Sequence, residues 1–329
     1  MTPQFYFNPP QKWKDSIEHF HTLPNEQVYC LPDAVVQGKR WGAGSNNYLV
    51  HQVQQVQGIT ASVVSIQVHE FSVVTISSAT SCCLLQYTLA GQSFARLSGY
   101  GMLPLFYNTY SLLYLANGTH QLLLAPGTHH YLYVIPGALL PFFSQNNGTT
   151  NQMLERFSNF HTDSFLAAHL PVSVAVKGVL LNLLHPNGNS ATVAHRLRSM
   201  VNDLIYQFHK QTISSDLPVQ SDELRAALAV LAATHLRLPV PQLIHRLCAA
   251  FYLQPATLRQ HWLRYSGSSP KNSFRQMRLY MALYLLVVEK LSVTYTAHNL
   301  GFVHTTHFSA QFIKQYGINP SAATKLVAQ

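Results

Sequence analysis

Residues 254–270 of the chain read QPATLRQHWLRYSGSSP, and residues 304–320 read HTTHFSAQFIKQYGINP. The two stretches correspond in their apolar, basic, glycine and proline positions: Leu258 with Phe308, Trp262 with Phe312, Leu263 with Ile313, Arg264 with Lys314, Gly267 with Gly317 and Pro270 with Pro320. Apolar residues four and five positions apart predict one buried helix face, and glycine followed by proline predicts where each helix ends. Shorter helical stretches, residues 242–250 and 294–300, precede the two copies. A short helix, a tight turn and a second helix with one apolar face are typical of the helix-turn-helix, so the repeat predicts two of them.

The repeat resembles the DNA-binding domain of the AraC/XylS family of bacterial transcription regulators. That family has a pattern of the type A-x-x-x-G-F, then x-F-S-x-x-F-x-K, then G-x-x-P, and this chain has at those positions Ala297, Gly301, Phe302, Phe308, Ser309, Phe312, Lys314, Gly317 and Pro320. The family's arginine–leucine pair before the linking helix corresponds to Arg278 and Leu279, followed by Ala282. The resemblance implies an all-α domain over residues 219–329. In that domain a long helix over residues 271–289 would join two helix-turn-helix subdomains.

Charge is distributed unevenly along the 329 residues, which suffice for two domains with separate cores. Residues 1–170 contain six Lys/Arg and seven Asp/Glu, whereas residues 171–329 contain fifteen Lys/Arg and five Asp/Glu. A basic half beside a nearly neutral half is typical of a nucleic-acid-binding domain joined to a second domain. A basic surface that serves only solubility is the alternative, which the repeat disfavours. We predict a two-domain α+β fold with a β-rich domain over 1–170, a helical connector over 171–218 and the DNA-binding domain over 219–329.

The first domain consists of short β-branched and aromatic runs separated by Gly and Pro. The predicted strands are residues 61–68, 71–77, 83–89, 103–107, 110–116, 119–125 and 131–135. Asn117-Gly118, between two of these runs, is the sequence signal of a β-hairpin. Many short strands predict an antiparallel β-barrel or sandwich. The family resemblance implies that this domain is cupin-like and senses a small molecule.

A cupin-type metalloenzyme with a basic helical appendage is the rival from another class. Its candidate metal ligands are His69, Glu70, His120, His129 and His130. Adjacent residues on a strand point to opposite faces, so neither adjacent pair can chelate one ion, and Glu70 is the only carboxylate between residues 33 and 155. We therefore predict that the protein is not an enzyme and has no catalytic residue, no metal and no cofactor.

The cysteines Cys30, Cys82, Cys83 and Cys248 lack the spacing of a zinc site and are interpreted as inert thiols, with Cys82 and Cys83 on opposite strand faces. Residues 1–15 contain proline and charge where a signal peptide needs an apolar core. No apolar run reaches membrane-spanning length. These observations predict a cytoplasmic protein.

Aromatic residues are concentrated on the predicted strands. The candidates for lining an effector pocket are Phe94, Tyr100, Tyr107, Tyr114, Tyr131 and Tyr133. Tyrosine combines an apolar ring with a polar hydroxyl, which suits a pocket that orients an organic molecule. The alternative is that these are ordinary strand residues, since tyrosine favours strands.

Helical patterns follow the β domain at residues 151–160, 172–184 and 191–211. The last of these has a stripe formed by Leu197, Val201, Leu204 and Phe208. This stripe could pack on the β domain or on its equivalent in a second subunit, so a homodimer is one of two alternatives. The polar stretch 212–218 is the predicted linker, and Ser221 is the predicted N-cap of a helix that runs to residue 235.

The predicted DNA-contacting face of each second helix lies opposite its buried aromatic residues. In the first helix this face includes Ala256, Thr257, Arg259, Gln260, Leu263 and Arg264, and in the second it includes Thr305, Thr306, Ser309, Ala310 and Lys314. Arg259 suits a bidentate contact to guanine, and Gln260 suits one to adenine. The second set has short side chains before Lys314, so we expect the first helix to supply most base discrimination.

The sequence thus predicts a one-component transcription regulator that binds double-stranded promoter DNA and is controlled by a small organic effector. An alternative is a DNA-binding regulator whose N-terminal domain only dimerises. RNA polymerase is a candidate partner, and no membrane partner is expected. Three positions depart from the family pattern: Thr296 replaces the usual Ile, Gln254 replaces a Ser cap, and Ala310 replaces a frequent Arg.

Overall fold

Strand Cys82–Ala90 is buried on both faces over most of its length, so it lies inside a sheet that is covered on two sides. Cys82 and Leu84 belong to one apolar core, whereas Cys83, Leu85 and Tyr87 belong to another. Successive side chains of a strand point to opposite faces, which explains this division. The prediction that the adjacent cysteines face opposite sides is confirmed.

The computed structural model describes residues 5–24, 27–42, 47–91, 93–144, 148–184, 190–213, 236–250, 252–266, 269–287 and 289–325. The chain folds into two compact units, Met1–Glu223 and Leu224–Gln329. Among the described residues, the first unit contains the β-sheets, three α-helices and two 3-10 helices, and the second is helical.

Two antiparallel sheets form most of the first unit. The five-stranded sheet has the spatial order β1 (Phe5–Asn8), β6 (Ser72–Ser78), β11 (Gly118–Leu124), β8 (Ser93–Leu97) and β9 (Gly101–Leu105). The eight-stranded sheet has the order β13 (Phe165–Pro171), β10 (Thr109–Leu115), β7 (Cys82–Ala90), β12 (Gly127–Ile135), β5 (Ile59–Val68), β4 (Asn47–Val56), β3 (Val35–Trp41) and β2 (Glu18–Phe20). Their facing sides enclose one core, and neither sheet closes on itself among the described strands. The antiparallel β architecture is confirmed, and the arrangement is an open sandwich.

The turn at Asn117-Gly118 does not close a hairpin, so that prediction is wrong. Strand β10 pairs with β7 and β13, whereas β11 pairs with β6 and β8. The chain therefore crosses from one sheet to the other, and leucines of both strands belong to the core between the sheets: Leu113, Leu115, Leu122 and Leu124. Gly118 has a φ of 137° and Gly127, at the return crossing into β12, has a φ of 136°. Both values differ from the left-handed conformation, near +60°, of a type I′ turn.

A helical layer covers the other face of the eight-stranded sheet. It contains α1 (Gly148–Ser158), α2 (Val174–Leu184), α3 (Ser190–Ile213) and a 3-10 helix at Gly137–Ser144. The α3 stripe of Leu197, Val201, Leu204 and Phe208 is 0–3% exposed and packs into the core on that face. Of the two predicted alternatives, the structure has this stripe packed within its own unit.

Several strands of the first unit were not predicted from the sequence. The predicted strands begin at residue 61 and omit β1, β2, β3, β4 and β8, and a 3-10 helix lies between β1 and β2 at Gln11–Ser16. Strand β13, between α1 and α2, was also not predicted. Its sequence FLAAHLP has little β-branched character, and pairing with β10 decides its conformation.

The second unit is built around one buried helix. Its described helices are α4 (Val240–Ala250), α5 (Pro255–Ser266), α6 (Pro270–Val287), α7 (Val293–Asn299), α8 (Thr305–Tyr316) and α9 (Pro320–Ala323). Helix α6 contacts all five of the others, and most of its residues are buried. It is therefore the core of the unit. The long helix predicted over residues 271–289 is present as α6, and it is mostly buried. The helix predicted up to residue 235 and nearly all of the predicted linker lie outside the described residues. No described helix is both long and apolar enough to cross a membrane.

Candidate nucleic-acid interface

The helix pairs α4–α5 and α7–α8 carry the internal repeat. Helices α5 and α8 contain 12 residues each and begin at Pro255 and Thr305. Leu258 and Trp262 are at most 2% exposed in the first helix, and Phe308 and Phe312 are fully buried in the second. The buried face predicted from these four residues is confirmed.

The two pairs fill their cores differently. Trp262 packs edge-on against Phe274 of α6, with ring centroids 4.8 Å apart. In the second pair, Phe308 lies 5.1 Å from Phe302 and 5.6 Å from Phe312. The first pair is therefore held by one large ring against α6, and the second by a cluster of phenylalanines.

Leu263 and Ile313 do not belong to the buried face on which the spacing of five would place them, and for Leu263 this agrees with its prediction on the DNA-contacting face. Leu263 is 50% exposed and Ile313 is 41% exposed. Each follows a buried aromatic residue, and one helical step turns a side chain by about 100°. These two residues therefore flank the buried face and extend the outward one.

The predicted contact residues of the first helix are mostly accessible. Ala256, Arg259 and Gln260 are exposed, and Thr257 is half-buried. The side chain of Arg264 lies outside the described part of the chain. The first helix thus presents one long cation and one long amide next to each other, and contact with DNA remains a prediction.

The equivalent face of α8 has a different chemistry. Thr306, Ala310 and Lys314 are exposed, while Thr305 and Ser309 are half-buried. Before Lys314, these side chains end in methyl or hydroxyl groups. The predicted residues of α8 are therefore at least partly accessible, and none of them before the lysine carries a long hydrogen-bonding group.

The turns inside the two pairs have the same hydrogen bonds but different residues. In the second turn, Gly301 N donates to His298 O and Phe302 N to Ala297 O, both at 3.0 Å. Gly301 has a φ of 76°, and a Cβ there would lie 2.6 Å from the carbonyl oxygen of Arg237. Glycine is therefore required for conformation and for space.

Tyr252 occupies the matching conformation in the first turn. Its N–H donates to Ala249 O at 3.5 Å, and Leu253 N donates to Cys248 O at 2.9 Å. Tyr252 has a φ of 51° and is 97% exposed. The sequence analysis missed this residue because the fifty-residue spacing pairs Gly301 with residue 251.

Helix ends in the second pair follow the sequence signals. Ser292 Oγ accepts a hydrogen bond from Tyr295 N at 3.2 Å and caps α7. Helix α8 ends at Gly317, which has a φ of 71° and donates its N–H to Ile313 O. Asn319 then caps α9, whose first residue is Pro320. The predicted glycine stop and proline restart are confirmed here, whereas Gly267 lies outside the described residues.

The second unit is strongly basic. Residues 236–325 contain ten Lys/Arg and a single Asp/Glu, Glu289. The exposed cations are Arg237, Arg246, Arg259, Lys271, Arg275, Lys290, Lys314 and Lys325. Glu289 accepts a hydrogen bond from the Tyr284 hydroxyl at 2.5 Å. A surface with this charge attracts a polyanion such as DNA.

Arg278, the arginine of the family's arginine–leucine pair, does not contribute to that surface. It is 4% exposed, and its Nε donates to the carbonyl oxygen of Leu236 at 2.9 Å. Burial lowers the pKa of Arg278 to about 10. Its role in the fold is to hold the chain at Leu236 against α6.

The six aromatic residues predicted to line an effector pocket are separated in the structure. Phe94, Tyr114, Tyr131 and Tyr133 are buried, whereas Tyr100 and Tyr107 are 39% and 51% exposed. Tyr131 and Tyr133 face the core between the sheets, and Tyr114 faces the helical layer, where its hydroxyl donates to His161 O at 2.6 Å. The six therefore do not line a common pocket: strand alternation places Tyr114 on a different face from Tyr131 and Tyr133, and Tyr100 and Tyr107 lie in turns.

A small cavity lies between the two sheets. Its volume is about 30 Å³, and its lining is aliphatic and aromatic apart from Gln86 and His120, with Tyr133 contributing from the predicted set. Such a volume corresponds to about one water molecule. His120 Nδ1 accepts from Ser98 N at 3.1 Å and Nε2–H donates to Ala116 O at 3.0 Å, which matches the neutral imidazole. Burial lowers the pKa of His120.

The other predicted metal-ligand candidates have separate partners. His129 Nε2–H donates to Ala125 O at 2.9 Å, and His130 Nδ1 lies 2.8 Å from Ser65 Oγ. Among the described residues, no three His, Cys, Asp or Glu side chains come together as metal ligands.

Known proteins share the C-terminal part of this chain. A family model described as a helix-turn-helix domain matches residues 247–325. The HTH-type transcriptional regulator YidL of Escherichia coli K12, itself uncharacterized, is 35% identical over 96 residues, covering 29% of this chain and 32% of that protein. The HTH-type transcriptional activator RhaR of Escherichia coli K12 is 27% identical over 121 residues, covering 37% and 42%. A solved structure of a probable AraC family transcriptional regulator from Rhodopseudomonas palustris is 22% identical with a TM-score of 0.28, covering 31% of this chain and 94% of that one.

These matches cover less than half the length of the two sequence relatives. They include α5 through α9 and the repeat on which the interface is built. The chain carries a helix-turn-helix domain of the AraC type at its C-terminal end.

Proposed function

We propose that this protein, with its AraC-type helix-turn-helix domain, is a sequence-specific DNA-binding regulator of transcription. The observation that carries the proposal is the repeated helix pair in a basic unit, with two second helices that bury matching faces and expose matching faces. In this proposal α4–α5 and α7–α8 are two helix-turn-helix subdomains. Helices α5 and α8 enter successive major grooves, which lie about 34 Å apart along the duplex.

In this proposal the two helices make different kinds of contact with DNA. Arg259 donates to the O6 and N7 of guanine, and Gln260 makes a bidentate contact to adenine. Lys314 and Arg264 contact phosphates at the ends of the two helices. Among the predicted contact residues of α8, none before Lys314 carries a long donor, which makes α5 the main source of hydrogen-bonded base contacts in this proposal.

The first unit supplies control in this proposal. A small organic effector binding in the cupin-like sandwich, between the sheets, would change the activity of the DNA-binding unit, and RNA polymerase is the partner through which transcription responds. The protein is proposed to act in the cytoplasm and to have no catalytic activity.

A second candidate is a regulator whose first unit only forms a homodimer. The volume of about 30 Å³ between the sheets favours it, because an organic effector needs a larger pocket. A thermal-shift screen of the full chain against small molecules separates the two. A stabilising compound whose effect is lost on changing a cavity residue, for example Leu122→Trp, supports the effector, and failure of every compound supports the dimer.

The test of DNA binding uses the full chain and a pool of random-sequence duplexes. We expect a selected sequence to bind far more tightly than the pool. We also expect affinity to fall steeply with salt, with a logarithmic slope of about −0.9 per phosphate contacted. Matched charge-removal variants at Lys314 and at Lys39, which lies in the first unit, should differ, with only Lys314→Ala reducing the slope. Salt-independent binding, or none at low salt, would contradict the proposal.

A further inference from the structure

Helix α8 presents a stripe of methyl groups to solvent. Thr306, Ala310 and Ile313 are spaced by four and three residues, so they lie in one line along the helix. All three are exposed, and Ile313 is 41% exposed. They lie opposite Phe308 and Phe312, which fix the buried side.

The same line on α5 shows that this exposure is a property of the repeat. Its residues are Ala256, Gln260 and Leu263, and Leu263 is 50% exposed. A single exposed aliphatic residue needs no explanation. Here a large aliphatic residue recurs at the same register on both helices, each followed by a cation, Arg264 or Lys314.

The middle of the stripe differs between the two helices. Gln260 on α5 has an amide that can make two hydrogen bonds to one base, whereas Ala310 on α8 has only a methyl group. Thr306 offers a hydroxyl and a methyl, and Ile313 only apolar atoms. The α8 stripe therefore matches a partner that presents apolar groups along a line.

The charge around the stripe indicates what that partner is. The unit has eight exposed cations and one carboxylate among its described residues, so the partner is a polyanion and not an apolar protein helix. In the major groove of DNA the apolar group that marks a base is the 5-methyl of thymine, and alanine and the threonine methyl are known to contact it. Duplex DNA with thymines along one groove satisfies both requirements.

We infer that α8 selects a thymine-containing half-site by packing the methyl groups of Thr306, Ala310 and Ile313 against thymine 5-methyl groups. The inference rests on the proposed DNA-binding function. It assigns a specificity role to Ile313 and gives α8 its own sequence preference, independent of hydrogen-bonded readout.

The experiment removes methyl groups from the DNA one at a time. The full chain first selects its best duplex from the random pool, and each thymine of that duplex is then replaced by deoxyuridine, which lacks only the 5-methyl. Replacement at the thymines under α8 should weaken binding about 4-fold each, the value expected for one buried methyl group. Thymines elsewhere in the duplex should show no such loss.

Two protein variants remove the matching groups. Thr306→Ser deletes one methyl and keeps the hydroxyl, and Ile313→Ala shortens the exposed aliphatic residue; both positions are at the surface, so the variants should fold. Each variant should weaken binding to the thymine duplex. Replacing the thymine that the altered residue contacts with deoxyuridine should then cause no further loss. Leu263→Ala, at the same register on α5, is the control and should leave those thymines sensitive.

The outcomes separate this inference from the function on which it rests. If a specific duplex is selected but no thymine loses its sensitivity in Thr306→Ser or Ile313→Ala, the methyl contact is wrong and the regulator remains. If no duplex is selected at all, the proposed function falls and the inference falls with it. Sensitivity that disappears equally in Leu263→Ala would also overturn the assignment to α8.

Discussion

Helix pairs α4–α5 and α7–α8 have the same backbone arrangement but different residues in their turns and on their exposed faces. Both bury two large side chains of the second helix and expose the line opposite them. The first pair has Tyr252 in the left-handed turn position and Gln260 in the middle of its outward line, and the second has Gly301 and Ala310 there. The buried face and the helix length are therefore common to the two pairs, whereas the residues of the turn and of the outward line differ.

The largest expected effect comes from the shared feature. Trp262→Ala and Phe312→Ala should each lower the free energy of unfolding by about 3–5 kcal/mol, because each removes a buried aromatic ring. Chemical denaturation of the full chain, followed by helical circular dichroism, measures this. As a control, Leu263→Ala on the exposed line should cost much less. Full stability in either aromatic variant would contradict the common buried face.

Substitutions in the two turns should change the stability in opposite directions, with Gly301→Ala destabilising and Tyr252→Gly stabilising. Gly301→Ala should destabilise the second pair by about 1–3 kcal/mol, because alanine at a φ of 76° is strained and its Cβ would meet the Arg237 carbonyl 2.6 Å away. The midpoint of denaturation measures this. Gly317→Ala is the matched control, since its φ is 71° but a Cβ there meets no atom within 4 Å. Equal costs would mean that the contact with Arg237 contributes nothing.

The outward lines should differ in base recognition. Arg259→Ala should weaken binding to the selected duplex by about 1–3 kcal/mol and relax preference at one or two base pairs. Ala310→Gly should cost about 1 kcal/mol through helix propensity and about 0.8 kcal/mol more through loss of one methyl contact, at a single thymine. Competition binding over a library of mutated duplexes measures both. Equal weakening of every sequence by Arg259→Ala would make Arg259 a phosphate contact and shift specificity to α8 or to DNA shape.

The smallest effect should come from the strained turn of the first pair. Tyr252→Gly should stabilise the protein by up to about 1 kcal/mol, because glycine adopts a positive φ without strain but loses more chain entropy on folding. Tyr252 is 97% exposed, so little packing is lost. A thermal melt beside the exposed-tyrosine control Tyr295→Gly, which sits inside α7 and should destabilise, measures it. Destabilisation at Tyr252 would show that its ring contributes to the fold.

The C-terminal unit was largely predictable because its signals are local. The repeat located α5 and α8, glycine and proline marked the end of α8 and the start of α9, and four apolar residues defined the buried face. Helical periodicity and capping depend on residues within a few positions of each other. The exposure of Ile313 was not predicted because a pattern of spacings does not say how wide the buried face is.

The β unit was less predictable because strand pairing joins distant residues. Asn117-Gly118 has the local composition of a hairpin, yet its flanking strands pair in different sheets. Strand β13 is a strand because its backbone pairs with β10. The buried tyrosines of the predicted set lie on different faces of their sheet because of the alternation along each strand. None of these contacts can be predicted from residues that are close together in the sequence.

The sequence by itself determined the helical repeat, the basic C-terminal unit and the residues of its candidate interface, since each follows from local periodicity or charge. Tertiary structure alone decided the open sandwich, the burial of Arg278 and the small volume between the sheets. It also decided which aliphatic residues of α5 and α8 remain at the surface. The physical reason is that burial and strand pairing depend on what the rest of the chain packs against a residue, whereas helix periodicity and charge belong to the residues themselves.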